Sequence, residues 1–553
     1  MRSRLVAAVG IFGMLALTAC GGAATPAATT SSAQSTASAA PTTKTKTVSA
    51  EFWSAPDSFN CITASSGYDE TVCGYLWDTL VWLSPNQKIH PLLASSWTVS
   101  PNSKTFTFNL NPNAKWTDGQ PVTASDVAYT LDVSANPKVP AVFGTYLSIL
   151  AGTNSSGQNV NPSQPLAGVK VVNAHTIQLI TKQPTDPTEM LQTIGSNIWI
   201  YPEHILKGIP IASFQKAPYF LNPTVTDGPY EFVKYVNSQY VQLKPNPNYY
   251  LGAPKIDQFF IKVVPATSVL ADLRSGSVDA TISPGESDVP LQDWPSVASL
   301  PNVKQDPVPG TVTQFMWINT AKPYFKSMQV RQAISMAINR TELVKDLLKG
   351  QGSVPIGPVS PLYTTWYDTS IKPWPYDPTK AKQMLQAAHF PFSQPLKLLV
   401  PTGNQTRMES APLIQQDLQA VGLNVQIQQY DFATMLAQDR KGNFDFSLVG
   451  SGFGSDPSQF ATFFACNGPL NYGKFCDPKI DQAFAAGNAT ASTSARQKIY
   501  DNLQQLIYQD APYVFLYTPN GLMAYNKALN ASAIPNAYGM QQSWLWDINP
   551  ALE

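Results

Sequence analysis

Charge is scarce in this chain. Only 13% of its 553 residues are Asp, Glu, Lys or Arg, and 36 basic residues balance 36 acidic ones. No basic stripe stands out, so the electrostatic footprint of a nucleic-acid binder is missing. Histidine is scarcer still. The four, His90, His175, His204 and His389, lie far apart and show no metal-ligand spacing. The chain contains neither G-x-S-x-G nor H-E-x-x-H. Nothing marks a catalytic constellation, and the expectation is a non-enzyme with no cofactor or resident metal. Beyond Leu17, no segment approaches the apolar run of a membrane-spanning helix.

What is present begins at the N-terminus. Arg2 and Arg4 precede an uncharged stretch, Leu5 to Leu17. It is shorter than the about 20 residues a spanning helix needs and suits a signal-peptide h-region. Leu17-Thr18-Ala19-Cys20 resembles the bacterial lipobox. That resemblance implies cleavage after Ala19 and acylation of Cys20, with more than one chain for stable anchoring. Residues 1–19 are therefore expected to be a signal peptide. Residues 20–47 are expected to be a lipidated Cys and a flexible tether. Residues 21–47 hold no aromatic, Val, Ile or Leu, and so have little to offset the entropy of ordering.

Four further cysteines form two close pairs, Cys61/Cys73 and Cys466/Cys476. In an exported chain they read as two disulfides. A four-thiol zinc site is the rival, though the C-x(2–4)-C spacing is missing. Periodicity gives an α/β chain. Lys104 to Leu110 alternates as a strand, and Thr123 to Asp126 reads as a capping box opening a helix through about Val133. Pro395–Val400, a helix over 406–421 stopped by Gly422, and Leu423–Ile427 form a βαβ unit. A helix near 432–440 and a strand at 444–449 follow. Helices are also expected over Val330–Ile338, from Thr341 to Gly350, and after Asp377-Pro378. The first half is richer in strands and 310–517 richer in helices.

These blocks carry a resemblance. Leu93-Ala94-Ser95-Ser96-Trp97 leads into Lys104-Thr105-Phe106-Thr107-Phe108, then Lys115-Trp116-Thr117-Asp118-Gly119 and Pro121-Val122-Thr123-Ala124-Ser125-Asp126-Val127. Gly228-Pro229-Tyr230, Asn246-Pro247-Asn248-Tyr249-Tyr250, Leu273 to Asp279, and Val330 to Arg340 continue it. The chain resembles the extracellular solute-binding proteins of family 5, the peptide- and nickel-binding receptors of ABC importers. The resemblance implies a two-lobe periplasmic-binding-protein-like fold with an extra inserted subdomain and a ligand cleft between the lobes. Lobe I is expected from 48–310 plus 518–553, with the insertion at about 75–220, and lobe II from 311–517. It further implies a monomeric, lipid-anchored receptor on the outer face of a bacterial membrane. Its partners would be a small solute (peptide or oligosaccharide) and an ABC permease with its ATPase. A sensor or adhesion lipoprotein without transport is the other reading.

Candidate ligand contacts follow. Ser65, Ser66 and Tyr68 sit in a stretch that borders the cleft in the family. Gly452, Phe453 and Asp456 lie in a Gly-rich loop after a strand, where α/β proteins place ligands. Peptide-binding members carry an acidic residue that pairs with the α-amino group, where this chain has Phe453. Arg407 lies in the loop before the 408–421 helix, near where peptide receptors of the family can place an Arg for the ligand's carboxylate, a contact that suits a guanidinium. Trp317, Trp366 and Tyr367 are candidate aromatic walls. Arg331 and Arg340 are expected in structural ion pairs.

Overall fold

A computed structural model describes residues 45–63, 66–84, 88–402, 404–530 and 543–549. The signal segment, Cys20 and Ser65 lie outside the described residues.

Alternation along Thr47–Phe52 (β1) sends Val48, Ala50 and Phe52 into one apolar core and Ser49 and Glu51 to the other face. Ser66 caps the next helix, Gly67–Leu76 (α1), by accepting from the Asp69 N–H. β1 is flanked in parallel by Gln258–Val263 (β2) on one side and Ala280–Thr281 (β3) on the other. Val269–Ser275 (α2) links β2 to β3, so that connection passes over β1. α1 packs into the core that holds Phe52, whereas Val269 and Leu273 of α2 belong to a different one. The chain therefore leaves β1 and β2 toward opposite faces. Antiparallel strands complete a seven-stranded sheet, including Gly521–Asn526 beside β3.

The second sheet repeats this plan. Pro395–Pro401 (β4) leads to Gln405–Ala420 (α3), which ends where Gly422 takes a φ of 97°. Asn424–Tyr430 (β5), Phe432–Lys441 (α4) and Phe446–Ser451 (β6) follow. β4 is parallel to both β5 and β6. Ile414 and Leu418 of α3 pack in one core and Met435 of α4 in another. Thr313–Ile318 pairs antiparallel with β6, and Tyr513–Pro519 pairs antiparallel with Thr313–Ile318 in turn, within this six-stranded sheet. The main chain passes between the sheets at 309–312 and again at Asn520. A third, four-stranded sheet is made by Ala94–Val99, Thr105–Leu110, Thr176–Ile180 and Val169–Asn173. The fold is two-lobed α/β, with this extra sheet on the first lobe.

Several expectations need adjusting. The capping box forms, with Thr123 N–H donating to Asp126 at 2.8 Å. The helix expected to start at Thr341 is capped instead by Asn339, which accepts from Glu342 N–H, and continues into a wider turn over Leu343–Leu347. Lys46 and Thr47, assigned to the tether by composition, are held in lobe I; Lys46 Nζ donates to Asp547 at 2.6 Å. Arg331 and Arg340 are structural, yet among the described residues neither forms its expected ion pair. Arg331 donates to the carbonyls of Phe325, Lys326 and Asp510, and Arg340 to that of Trp374. Buried carbonyls left without partners explain why guanidinium groups are used there. Cys61 and Cys73 are bonded in lobe I, Cys466 and Cys476 in lobe II, with Cα separations of 6.5 and 4.3 Å. The four sulfurs thus form no common zinc site.

Candidate functional site

In open α/β sheets a ligand crevice opens outside the carboxyl ends of parallel strands, where neighbouring connections depart to opposite faces. Each lobe has one such point: β1 with its parallel neighbours in lobe I, β4 with its neighbours in lobe II. The side chains at these two points differ in sign.

At the lobe II point, Asn404 accepts from the Arg407 N–H at 2.9 Å, fixing Arg407 in the first turn of α3. Arg407 Nε donates to Gln314 Oε1 at 2.7 Å. Among the described residues no carboxylate pairs with this guanidinium. Burial lowers its pKa, yet a guanidinium stays charged at neutral pH. Gly450, near the end of β6, makes the arrangement possible. A Cβ there would stand 2.5 Å from Gln314 Nε2 and 2.6 Å from a terminal nitrogen of Arg407. A partly buried, positively charged fork with a neutral neighbour suits a ligand carboxylate.

The Gly-rich loop after β6 divides by role. Gly452 is half-buried, and a Cβ there would come within 3.9 Å of the Thr311 carbonyl oxygen, an ordinary contact. Phe453 has φ 47° and 4% exposure. A bulky residue in that left-handed region costs about 1–3 kcal/mol. Packing offsets the strain: its ring lies 5.1 Å from Phe315 and 4.9 Å from Phe463. Trp317 and Trp366 sit in the same aromatic core, 3% and 1% exposed, which makes them its interior rather than an open wall.

Asp456 is committed elsewhere. Its carboxylate takes two bonds from Arg496, at 2.6 and 2.7 Å, and caps the turn at Ser458. Arg496 stands at the head of the helix Thr493–Asp510 (α5), over the rings of Trp366 and Tyr500. Its other partner crosses between the lobes: Glu189 of lobe I lies 3.0 Å away. Burial opposes the Arg496 charge, but Asp456 and Glu189 together raise its pKa. One guanidinium cannot neutralise two carboxylates. Asp456 holds it bidentately, so Glu189 is the surplus acid, pushed up to about 8 by burial and then by Asp456. Arg496 and Glu189 escaped sequence reasoning, although Arg496 heads the buried stripe Arg496, Tyr500, Leu503, Gln504 and Ile507 at helical spacing.

At the lobe I point, Ser66 is occupied as the α1 cap and Tyr68 stacks edge-on against Phe52 at 5.3 Å. Around them gather acids that sequence reasoning also missed. Glu70 and Glu286 are each pushed up to about 7, mainly by burial. The Glu286 carboxylate lies over the start of α1, where a Cβ on Gly67 would meet its Oε1 at 1.8 Å. The structure thus groups Ser66 with Tyr68 and Arg407 with the Gly-rich loop, and sets Trp317, Trp366 and Asp456 behind them.

Two lobes joined by two chain crossings, each with its crevice edge at a parallel-strand switch, define a receptor that holds a solute between lobes. Residues 88–471 match the family model described as bacterial extracellular solute-binding proteins, family 5 Middle, and the chain belongs to that family. It is similar to the di/tripeptide-binding protein 2 of Pseudomonas aeruginosa, with 27% identity over 87% of this chain and 91% of the relative. It is also similar to heme-binding protein A of Haemophilus influenzae, with 26% identity over 77% and 78%. Among solved structures, the oligopeptide-binding protein AppA of Bacillus subtilis, in complex with a nonapeptide, superposes with a TM-score of 0.75. The identity there is 22%, over 91% of this chain and 99% of the other.

Proposed function

We propose that this chain is the solute-capturing lipoprotein of an ABC importer, that its solute is an oligopeptide, and that Arg407 holds the peptide's carboxylate. The observation that carries this reading is the Arg407 guanidinium, partly buried at the lobe II switch, bonded to neutral Gln314 and to no acid among the described residues. A charge left so is costly unless a ligand completes it. The peptide-binding relatives support the choice of ligand. Cys20 would carry the lipid and residues 21–44 the tether. Residues 45–308 with 521–553 would act as lobe I and 313–519 as lobe II, turning about the two crossings. Closure works only if the solute binds the closed form better than the open one. The closed, monomeric receptor would then dock on a permease, and the solute would leave chemically unchanged.

A thermal-shift assay on the full chain tests the ligand. Tetra-alanine with a free carboxylate, at 100 times its Kd, should stabilise the protein by about 2.7 kcal/mol. The C-terminal amide should shift it far less. Equal shifts with acid and amide would remove Arg407 from the role. Mass spectrometry of the native N-terminus tests the anchor, and an unacylated Cys20 would refute it.

A further inference from the structure

The acids of lobe I are not spent on structure in the way that those of lobe II are. Asp288 is satisfied: it accepts from the Gly285 and Leu522 N–H groups, the latter at 2.7 Å, directly beside the chain crossing. Glu286 accepts from Ser283 Oγ at 2.8 Å and lies at the positive end of α1, which offsets part of its charge. Glu70 stands in the first turn of α1 but accepts no hydrogen bond among the described residues, and Glu286 and Asp69 both press on it. None of these forms an ion pair among the described residues.

A separate observation points to a missing partner. Glu51, one residue from the end of β1, is 0% exposed, and neither of its carboxyl oxygens has a hydrogen-bond partner among the described residues. Its field and those of Glu286 and Asp288 meet at Tyr68, which is half-buried at the crevice edge. The one cation in register with Glu51 is Lys262 on β2, and that ammonium turns away to the Ser277 carbonyl. The remaining neighbour is acidic, Asp272 on α2. A run of carboxyl groups with no base, one of them buried and unpartnered, is electrostatically incomplete.

We infer that Glu70 and Glu286 form a subsite for a cationic group of the captured solute, an ammonium or a guanidinium, with Glu51 adding to the negative field at the neighbouring Tyr68. The inference rests on the receptor reading proposed above and adds the other pole to it. The solute would span a negative lobe I and a positive lobe II, so its class is a zwitterion with separated charges. A cation arriving at the cluster favours the ionised acids, so protons leave as it binds.

Calorimetry on the full chain at pH 7, in two buffers of different ionisation enthalpy, tests this with three probes. Agmatine carries an amine and a guanidinium but no carboxylate. Tetra-alanine and its N-acetyl derivative differ only in the ammonium. Agmatine should bind with release of protons. The free-amine peptide should bind about 10-fold or more tighter than the acetylated one, as expected for a charge-assisted contact. The Glu70→Gln/Glu286→Gln variant should lose both effects while R407Q keeps agmatine binding. Glu51→Gln, which alters no surface atom, should reduce proton release and serves as the check if the double variant folds poorly. The inference is overturned if agmatine does not bind, if it binds without proton release, or if acetylation leaves affinity unchanged. Failure of the Arg407 reading looks different: agmatine still binds, and peptide acids and amides bind alike.

Discussion

The two lobes use the same strand arrangement and resolve charge in opposite ways. In lobe II the acid nearest the crevice loop, Asp456, is buried under a bidentate Arg496, and the cation left over is Arg407. In lobe I the acids outnumber their partners, and Glu51, Glu70 and Glu286 are all pushed well above the carboxylate range by burial first. Lobe II is left needing a negative charge at Arg407, and lobe I a positive one. Because the parallel-strand switch is common to both, the difference lies in side chains and not in architecture.

The largest expected break in this contrast is Arg496→Ala. Removing it strands two buried carboxylates, and breaking a buried pair costs about 3–5 kcal/mol. Chemical denaturation should show that loss, and Glu189→Gln, which removes only the surplus acid, should cost far less. Arg407→Gln comes next. It should weaken binding of a free-acid peptide by about 2 kcal/mol, the scale of a charge-assisted bond, while leaving unfolding nearly unchanged. Calorimetry and denaturation together separate this from Arg496→Ala.

A pH series sharpens the comparison further. A carboxyl whose folded pKa is raised contributes stability below its unfolded value, and that contribution is lost as pH rises through the folded one. For Glu70 and Glu286 the loss runs from their ordinary value near 4.5 through about 7, and for Glu51 through about 9. The unliganded protein should therefore melt at a lower temperature at pH 8 than at pH 5.5. Glu51→Gln should flatten that slope. The smallest effect concerns the contact between lobes. Burial and Asp456 push Glu189 up to about 8, so its contribution to stability should be lost as pH rises from about 4.5 to about 8, seen as faster hydrogen exchange around α5.

Much of the fold was legible because its signals are local. The Thr123–Asp126 box, the Gly422 stop and the alternation at 105–110 depend on neighbours in sequence, and each sits where expected. Arg407 became a candidate through the family resemblance and not through a local signal, and its part in binding is a proposal. What escaped depends on distance. Asp456 reads as free until α5 brings Arg496 to it from 40 residues away. Glu189 joins them only because the two lobes meet. Glu51 did carry a local signal, a charge inside an apolar strand, but its lack of any partner is a property of the assembled sheet. Phe453 was a candidate ligand contact, and its ring fills the lobe II interior.

The most direct test places fluorophores on the exposed Lys234 of lobe I and Lys382 of lobe II and follows energy transfer as tetra-alanine is added. Capture between the lobes predicts a shorter distance with the free-acid peptide, little change with its C-terminal amide, and no change in R407Q. An unchanged distance on saturation with a peptide shown to bind would contradict closure, and equal shortening by acid and amide would contradict the charged poles.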